Sequence, residues 1–146
     1  MSDEYFSRSP EETREYARRF ASALRPDETV SLSGQLGAGK TVFMSGIAEV
    51  FNCEGQLSSP TFSLLNIYHG SLEGREVTLH HFDLYRIRTL RELEATGFDE
   101  YLSGAYLSVV EWGDRFPEYA GRFTASVTLE HAGGDTRRIV VKRTGR

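Results

Sequence analysis

The chain has 146 residues, of which 39% are hydrophobic and 26% are charged, and its formal net charge is −4. Its length and composition are those of a soluble globular protein, which predicts a single domain over residues 1–146 with no need for a disulfide or metal to complete the core. The negative charge argues against a protein that holds nucleic acid unaided, and the sequence has no apolar run of membrane-spanning length, so we expect a cytoplasmic location.

The first predicted elements are a helix, a strand and a second helix. Residues 9–12 read Ser-Pro-Glu-Glu and have the spacing of a capping box, which predicts a helix over residues 10–24. A short strand is expected over residues 29–33, and apolar side chains at helical spacing predict a helix over residues 40–51. The strand and the second helix flank a glycine-rich loop, and phosphate-binding loops require this order.

The remainder of the chain is rich in predicted strands. The glycines of residues 69–75 favour a hairpin connection, and residues 89–102 are expected to be helical with a break at Gly97. The strands are expected at residues 61–68, 76–84, 105–111, 123–131 and 136–143. We therefore predict an α/β fold, a single-domain P-loop NTPase-like three-layer sandwich with a mixed central sheet and a C-terminal antiparallel hairpin.

The run GQLGAGKT at residues 34–41 carries the strongest functional signal. The pattern G-x-x-x-x-G-K-[ST] is satisfied by Gly34, Gly39, Lys40 and Thr41. In this pattern glycines let backbone N–H groups converge on phosphate oxygens at a helix N-terminus. The Lys40 ammonium would reach the outer phosphates, and the Thr41 hydroxyl would ligate the bridging Mg²⁺. Because the sequence has no segment typical of guanine recognition, we predict ATP and Mg²⁺ as ligands.

Two carboxylates are candidates for the chemistry beyond binding. Glu111 ends a buried strand, where an acidic residue could hold the magnesium shell, although a strand-end acid can also be simply solvated. Asp83 lies between Phe82 and Leu84 on a β-rich segment, so its charge needs a partner or a metal. An ion pair with Arg86 is the alternative for Asp83.

The neighbours of these acids are less specific. His80 and His81 could ligate a metal, but the sequence lacks zinc-like spacing, which favours histidines that hydrogen-bond in the core or beside the site. Trp112 follows Glu111 directly and could pack in the core or shield the site from water. Thr61 lies in SSPTF, which fits either a switch loop that touches the γ-phosphate or a plain turn before a strand.

Four motifs in this order, GQLGAGKT, SSPTF, HHFDLYR and VVEWGD, resemble the YjeE/TsaE family. The resemblance implies that Thr41 and Glu111 hold Mg²⁺ and that Lys40, Glu111 and Asp83 are catalytic, with Asp83 positioning the attacking water. The implied nucleotide-binding residues are Thr13, Gly34, Gly37, Ala38, Gly39, Lys40, Thr41, Val42, Thr61 and Trp112. Gln35 departs from the Asp that is usual in the family, at a position where the backbone does the binding.

The resemblance also implies a function. The family is the ATPase subunit of bacterial tRNA threonylcarbamoyladenosine synthesis, so this chain is expected to be a Mg²⁺-dependent ATPase that is weak by itself and drives turnover of TsaB and TsaD homologues. It would reach tRNA only through that complex. The alternatives are a small-molecule P-loop kinase, whose lid could use Arg86, Arg88 and Arg91, and a binding module in which bound nucleotide is itself the signal.

Overall fold

One mixed β-sheet organises the residues that this computed structural model describes, which are 2–35, 37–53, 64–104 and 106–144. Within them, the strands are β1 (Ser2–Ser7), β2 (Thr29–Gly34), β3 (Leu65–Leu72), β4 (Arg75–Asp83), β5 (Leu107–Glu111), β6 (Ala125–His131) and β7 (Arg137–Arg143). Their order across the sheet is β1-β7-β6-β2-β5-β4-β3.

Helices lie between these strands. The α-helices are α1 (Pro10–Ser22), α2 (Lys40–Val50), α3 (Leu90–Ala95) and α4 (Phe98–Ser103), and 3-10 helices span Gly113–Arg115 and Pro117–Arg122. The start of α1 confirms the predicted cap, because the Ser9 hydroxyl accepts the Glu12 N–H and Glu12 Oε1 accepts the Arg8 N–H. The break at Gly97 is also confirmed, since Gly97 has a φ of 82° and is the N-cap residue that precedes α4.

Parallel pairing brings the functional strands together. Strand β2 is flanked by β5 and β6, and β4 runs beside β5, all in parallel. The carboxyl ends of β2, β4 and β5 therefore meet at one edge of the sheet, the edge where open α/β sheets bind ligands. The predicted α/β architecture is confirmed, including the antiparallel hairpin of β6 and β7.

Two apolar clusters cover the two faces of the sheet. On one face, α1 and α2 bury side chains such as Phe43 and Ile47 against Leu32 and Val109. On the other face, α3, α4 and the second 3-10 helix pack Leu93, Phe98 and Tyr119 over β4 and β5. These two layers of helices and the sheet between them form the expected sandwich.

The connection between β3 and β4 differs from the prediction. Residues 69–72 were expected in the turn but belong to β3, and the turn is Glu73 and Gly74, with φ values of 52° and 79°. Two positive φ angles are what a two-residue hairpin turn of type I′ requires. Gly70 serves packing instead, because a Cβ there would lie 2.1 Å from the Phe51 carbonyl oxygen.

Strand β1 was not predicted. Its sequence, SDEYFS, lacks a clear apolar alternation, and it pairs antiparallel with β7. Tyr5 supplies the contact with the helical layer, since its ring stacks on Tyr16 of α1 with centroids 4.5 Å apart. Residues 61–63 of another predicted strand lie outside the described residues. No helix in the described part of the chain is long and apolar enough to cross a membrane.

Candidate phosphate and acid site

The glycine-rich loop joins β2 to α2. At Gly34 a Cβ would lie 2.7 Å from the Leu129 carbonyl oxygen, so only glycine allows β2 and β6 to approach this closely. Gly39 precedes α2 with a φ of 101° and no side-chain cap. The first N–H groups of α2 therefore have no capping side chain, which is the arrangement that binds anions at helix N-termini.

Neighbouring elements hold this loop in place. Arg137, at the start of β7, donates from Nη2 to the Gly37 carbonyl oxygen at 3.3 Å. Below the loop, the Thr13 hydroxyl lies 2.6 Å from the Ser7 hydroxyl, and the Thr13 methyl carbon would be 3.9 Å from a Cβ on Gly39. Neither Arg137 nor Ser7 was predicted, because nothing in the local sequence shows that β1 ends and β7 begins beside the loop.

Lys40, Glu111 and His81 form a buried charged cluster at the carboxyl ends of the strands. Lys40 Nζ lies 3.4 Å from Glu111 Oε1, and both residues are less than a tenth exposed, at 8% and 7%. On the other side of the carboxylate, His81 Nε2 donates to Glu111 Oε2 at 2.6 Å. The alternative of a solvated Glu111 is therefore wrong, and the expectation of a hydrogen-bonding histidine beside the site is confirmed for His81.

The pKa values of the two carboxylates are shifted in opposite directions. Burial alone would raise the pKa of Glu111, but the hydrogen bond and charge from His81 and the charge of Lys40 outweigh it and hold this pKa below its usual value. Burial raises the pKa of Asp83, and the Glu111 charge adds to the rise. The two acids are neighbours, since Asp83 pairs with Glu111 in the register of β4 and β5.

Asp83 is held by the backbone that follows it. Its Oδ1 accepts the Tyr85 N–H at 3.0 Å. Among the described residues it makes no ion pair with Arg86, so the expected alternative partner is wrong.

Two aromatic rings lie beside Lys40 of this cluster. Trp112 adopts a φ of 64°, which is rare for a residue with a large side chain, and its ring lies 4.9 Å from Lys40 Nζ. The Tyr85 ring packs on it with centroids 5.1 Å apart. Trp112 also packs against the second apolar cluster, so it contacts both that cluster and Lys40.

The structure places the other predicted residues as follows. Ala38 is buried in the loop, with its N–H donating to the Gln35 carbonyl at 3.0 Å. Thr41 and Val42 lie in the first turn of α2, where Thr41 is exposed and Val42 is half-buried. Thr13 is 2% exposed and lies beneath the loop. Thr61 lies outside the described residues.

The residues fit Mg²⁺ and a nucleotide phosphate. Hydroxyl and carboxylate oxygens are the ligands that Mg²⁺ prefers, and Thr41 at the start of α2 and Glu111 at the end of β5 carry them. Lys40 supplies a cation, and its ion pair among the described residues is with Glu111 of the same site. The uncapped start of α2 after Gly39 is open to an anion.

The fold and the loop define the class of protein, an α/β protein of P-loop NTPase-like architecture. A family model described as threonylcarbamoyl adenosine biosynthesis protein TsaE matches residues 7–139. The chain belongs to the TsaE family.

Individual relatives agree with this family. The TsaE protein of Treponema pallidum is 34% identical over 92% of this chain and 96% of its own length. The TsaE protein of Bacillus subtilis is 34% identical over 94% of this chain and 83% of its own. The crystal structure of Bacillus subtilis YdiB superposes with a TM-score of 0.75 at 28% identity, covering 99% of this chain and 87% of that one.

Proposed function

We propose that this chain binds ATP with Mg²⁺, hydrolyses it, and thereby serves tRNA threonylcarbamoyladenosine biosynthesis in the cytoplasm. The observation that carries the proposal is the buried contact between Lys40 of the glycine-rich loop and Glu111, with Asp83 on the adjoining strand. A phosphate-binding loop and two acids at one edge of a sheet are the parts that nucleotide hydrolysis needs. The relatives' names supply the pathway.

Phosphate binding uses the backbone and Lys40. The N–H groups at the start of α2 would face the phosphate oxygens, and the Lys40 ammonium would move from Glu111 to the outer phosphates. Glu111 and Thr41 would then hold Mg²⁺, which neutralises charge on the phosphates. The hydrogen bond from His81 keeps the Glu111 carboxylate oriented and ionised during this exchange.

Asp83 would position the attacking water. Burial raises the pKa of Asp83, which makes its carboxylate a better proton acceptor than an ordinary aspartate. The Tyr85 N–H fixes one carboxylate oxygen and leaves the other for the water. Trp112 and Tyr85 limit access of bulk water to the same region.

ATP hydrolysis by this chain is proposed to act on partner proteins. The chain has a net charge of −4, which does not favour binding tRNA unaided. We propose that ATP turnover drives the working cycle of TsaB and TsaD homologues, and that tRNA is reached only through that complex.

The test is ATP turnover by the purified protein, alone and with TsaB and TsaD from the same cell, with Asp83→Ala and Glu111→Ala as controls. Weak release of inorganic phosphate, raised by the pair and lost in both variants, is the expected result. Robust turnover that the pair leaves unchanged would contradict the proposal and favour the small-molecule kinase.

A further inference from the structure

Arg115 connects the two chain segments that follow the two acids. It lies in the 3-10 helix after Trp112, and its Nη1 donates to the carbonyl oxygens of Tyr85 and Ile87, with a longer contact of 3.4 Å to that of Leu84. These carbonyls belong to the turn that follows Asp83. One side chain from the β5 side therefore holds the turn that leaves β4.

The contacts of Arg115 reach the Asp83 carboxylate in two steps. Arg115 binds the Tyr85 carbonyl, and the N–H of the same residue donates to Asp83 Oδ1 at 3.0 Å. The turn also carries an internal bond from the Ile87 N–H to the Leu84 carbonyl at 3.0 Å. The position of the Tyr85 backbone thus sets the direction of the Asp83 carboxylate.

A second set of contacts reaches Lys40 and Glu111 through aromatic rings. The Arg115 guanidinium lies 5.1 Å from the centroid of Trp112 and 5.7 Å from that of Tyr85. The Trp112 ring also lies 4.9 Å from Lys40 Nζ, which pairs with Glu111. A planar guanidinium can pack on rings while it donates to carbonyls, whereas an ammonium is a compact point charge.

We propose that Arg115 is a positioning residue that fixes the Asp83 carboxylate relative to Glu111 and Lys40. Its catalytic consequence rests on the proposed ATP hydrolysis, but its structural consequence does not. Arg115 contacts neither acid directly, so it acts through the Tyr85 backbone and the Trp112 ring.

The experiment compares Arg115→Ala and Arg115→Lys with a matched control, Arg122→Ala. Arg122 lies in the neighbouring 3-10 helix, and its contacts among the described residues are with Asp99, at 3.1 Å for the ion pair, so its loss removes a guanidinium from the same region but none of the bonds to Tyr85 and Ile87. The first two readouts need no activity: amide exchange of Tyr85 by NMR, and emission of Trp112, the single tryptophan of the chain. The third is ATP turnover together with nucleotide affinity without Mg²⁺.

In Arg115→Ala we expect the Tyr85 amide to exchange about tenfold faster or more, because its turn loses its anchor, and the Trp112 emission to shift to longer wavelength. Turnover should fall by roughly tenfold to a hundredfold, the loss that a displaced catalytic group causes, with nucleotide affinity without Mg²⁺ within about twofold. Arg115→Lys should recover part of the amide protection and part of the turnover. It should not restore the emission wavelength of Trp112.

Unchanged Tyr85 exchange and Trp112 emission in Arg115→Ala, or changes equal to those of Arg122→Ala, would overturn the inference. If Arg115→Ala does not fold, the same comparison in Arg115→Lys decides. A wild-type protein without turnover would contradict the proposed hydrolysis alone, since the exchange and emission measurements would still decide whether Arg115 holds the turn.

Discussion

The two sides of the site are built in different ways. The phosphate side is one contiguous run, residues 34–41, whose shape depends on backbone angles and close approaches at glycines. The acid side is assembled from two strands, with Asp83 from β4 and Glu111 from β5 brought side by side by parallel pairing. The groups proposed to bind on the first side are backbone N–H groups, whereas those on the second are side chains with buried charges.

This difference predicts which property each side loses when its residues are substituted. Loss of a side-chain group on the acid side should remove chemistry and leave phosphate binding, because the N–H groups of α2 do not depend on the acids. Substitutions in the loop should instead weaken phosphate binding or destabilise the fold. Lys40 belongs to both sides, since it lies in the loop sequence and pairs with Glu111.

The largest expected effect is on turnover in Glu111→Gln. The variant keeps the side-chain volume and an oxygen for His81 but loses the charge that is proposed to hold Mg²⁺, so ATP hydrolysis should fall by about a hundredfold or more. Nucleotide affinity measured without Mg²⁺ should stay within about threefold, since the backbone groups are intact. A comparable loss of that affinity would contradict the separation of the two sides.

Lys40→Ala should weaken ATP binding by well over tenfold, because charge-assisted contacts with the phosphates are lost. Isothermal titration calorimetry measures the affinity without relying on Trp112, which Lys40 contacts. Lys142→Ala is the matched control, since Lys142 is the other lysine of the chain and is exposed on β7. Full ATP affinity in Lys40→Ala would disprove the assignment of the phosphate loop.

Gly34→Ala should destabilise the fold. The added Cβ would lie 2.7 Å from the Leu129 carbonyl oxygen, a backbone atom that cannot move away without shifting β6. Overpacking of this kind costs about 1–3 kcal/mol, and each kcal/mol lowers the unfolding midpoint by roughly 2–4 °C in a chain of this size. Gly121→Ala is the control, because a Cβ there would have nothing within 4 Å. Equal midpoints for the two variants would contradict this reading of the loop.

The smallest effect is a gain of stability in Asp83→Asn without ligand. The folded-state pKa of Asp83 is raised by burial and by Glu111, so the ionised side chain destabilises the folded state near neutral pH. Asparagine keeps the acceptor for the Tyr85 N–H, and the unfolding midpoint should rise by no more than about 4 °C. ATP turnover should be lost in the same variant.

The pH dependence of that gain is a further check. As the pH falls through the folded-state pKa of Asp83, the wild-type carboxyl takes up a proton in the folded state first, and its penalty disappears. The difference in midpoint between Asp83→Asn and the wild type should therefore be largest near pH 7 and shrink toward pH 4. A difference that grows on acidification would contradict the raised pKa.

Prediction from the sequence worked best where the physical cause is local. The cap at Ser9, the break at Gly97 and the glycine loop each depend on a few adjacent residues, and the structure confirms all three. Prediction was wrong at residues 69–72, because Gly70 is required by the approach of the Phe51 carbonyl and not by a turn. The sequence around Gly70 does not indicate that Phe51 lies beside it.

The candidate site divides in the same way. Residues 34–41 and both acids could be proposed from the sequence, because a motif and a strand end are properties of neighbouring residues. The tertiary structure was needed to show that His81 and Lys40 share Glu111, that Arg137 supports Gly37, and that Arg115 anchors the turn after Asp83. These contacts join residues that are 28 or more positions apart, so they exist only once parallel pairing has aligned the ends of the strands.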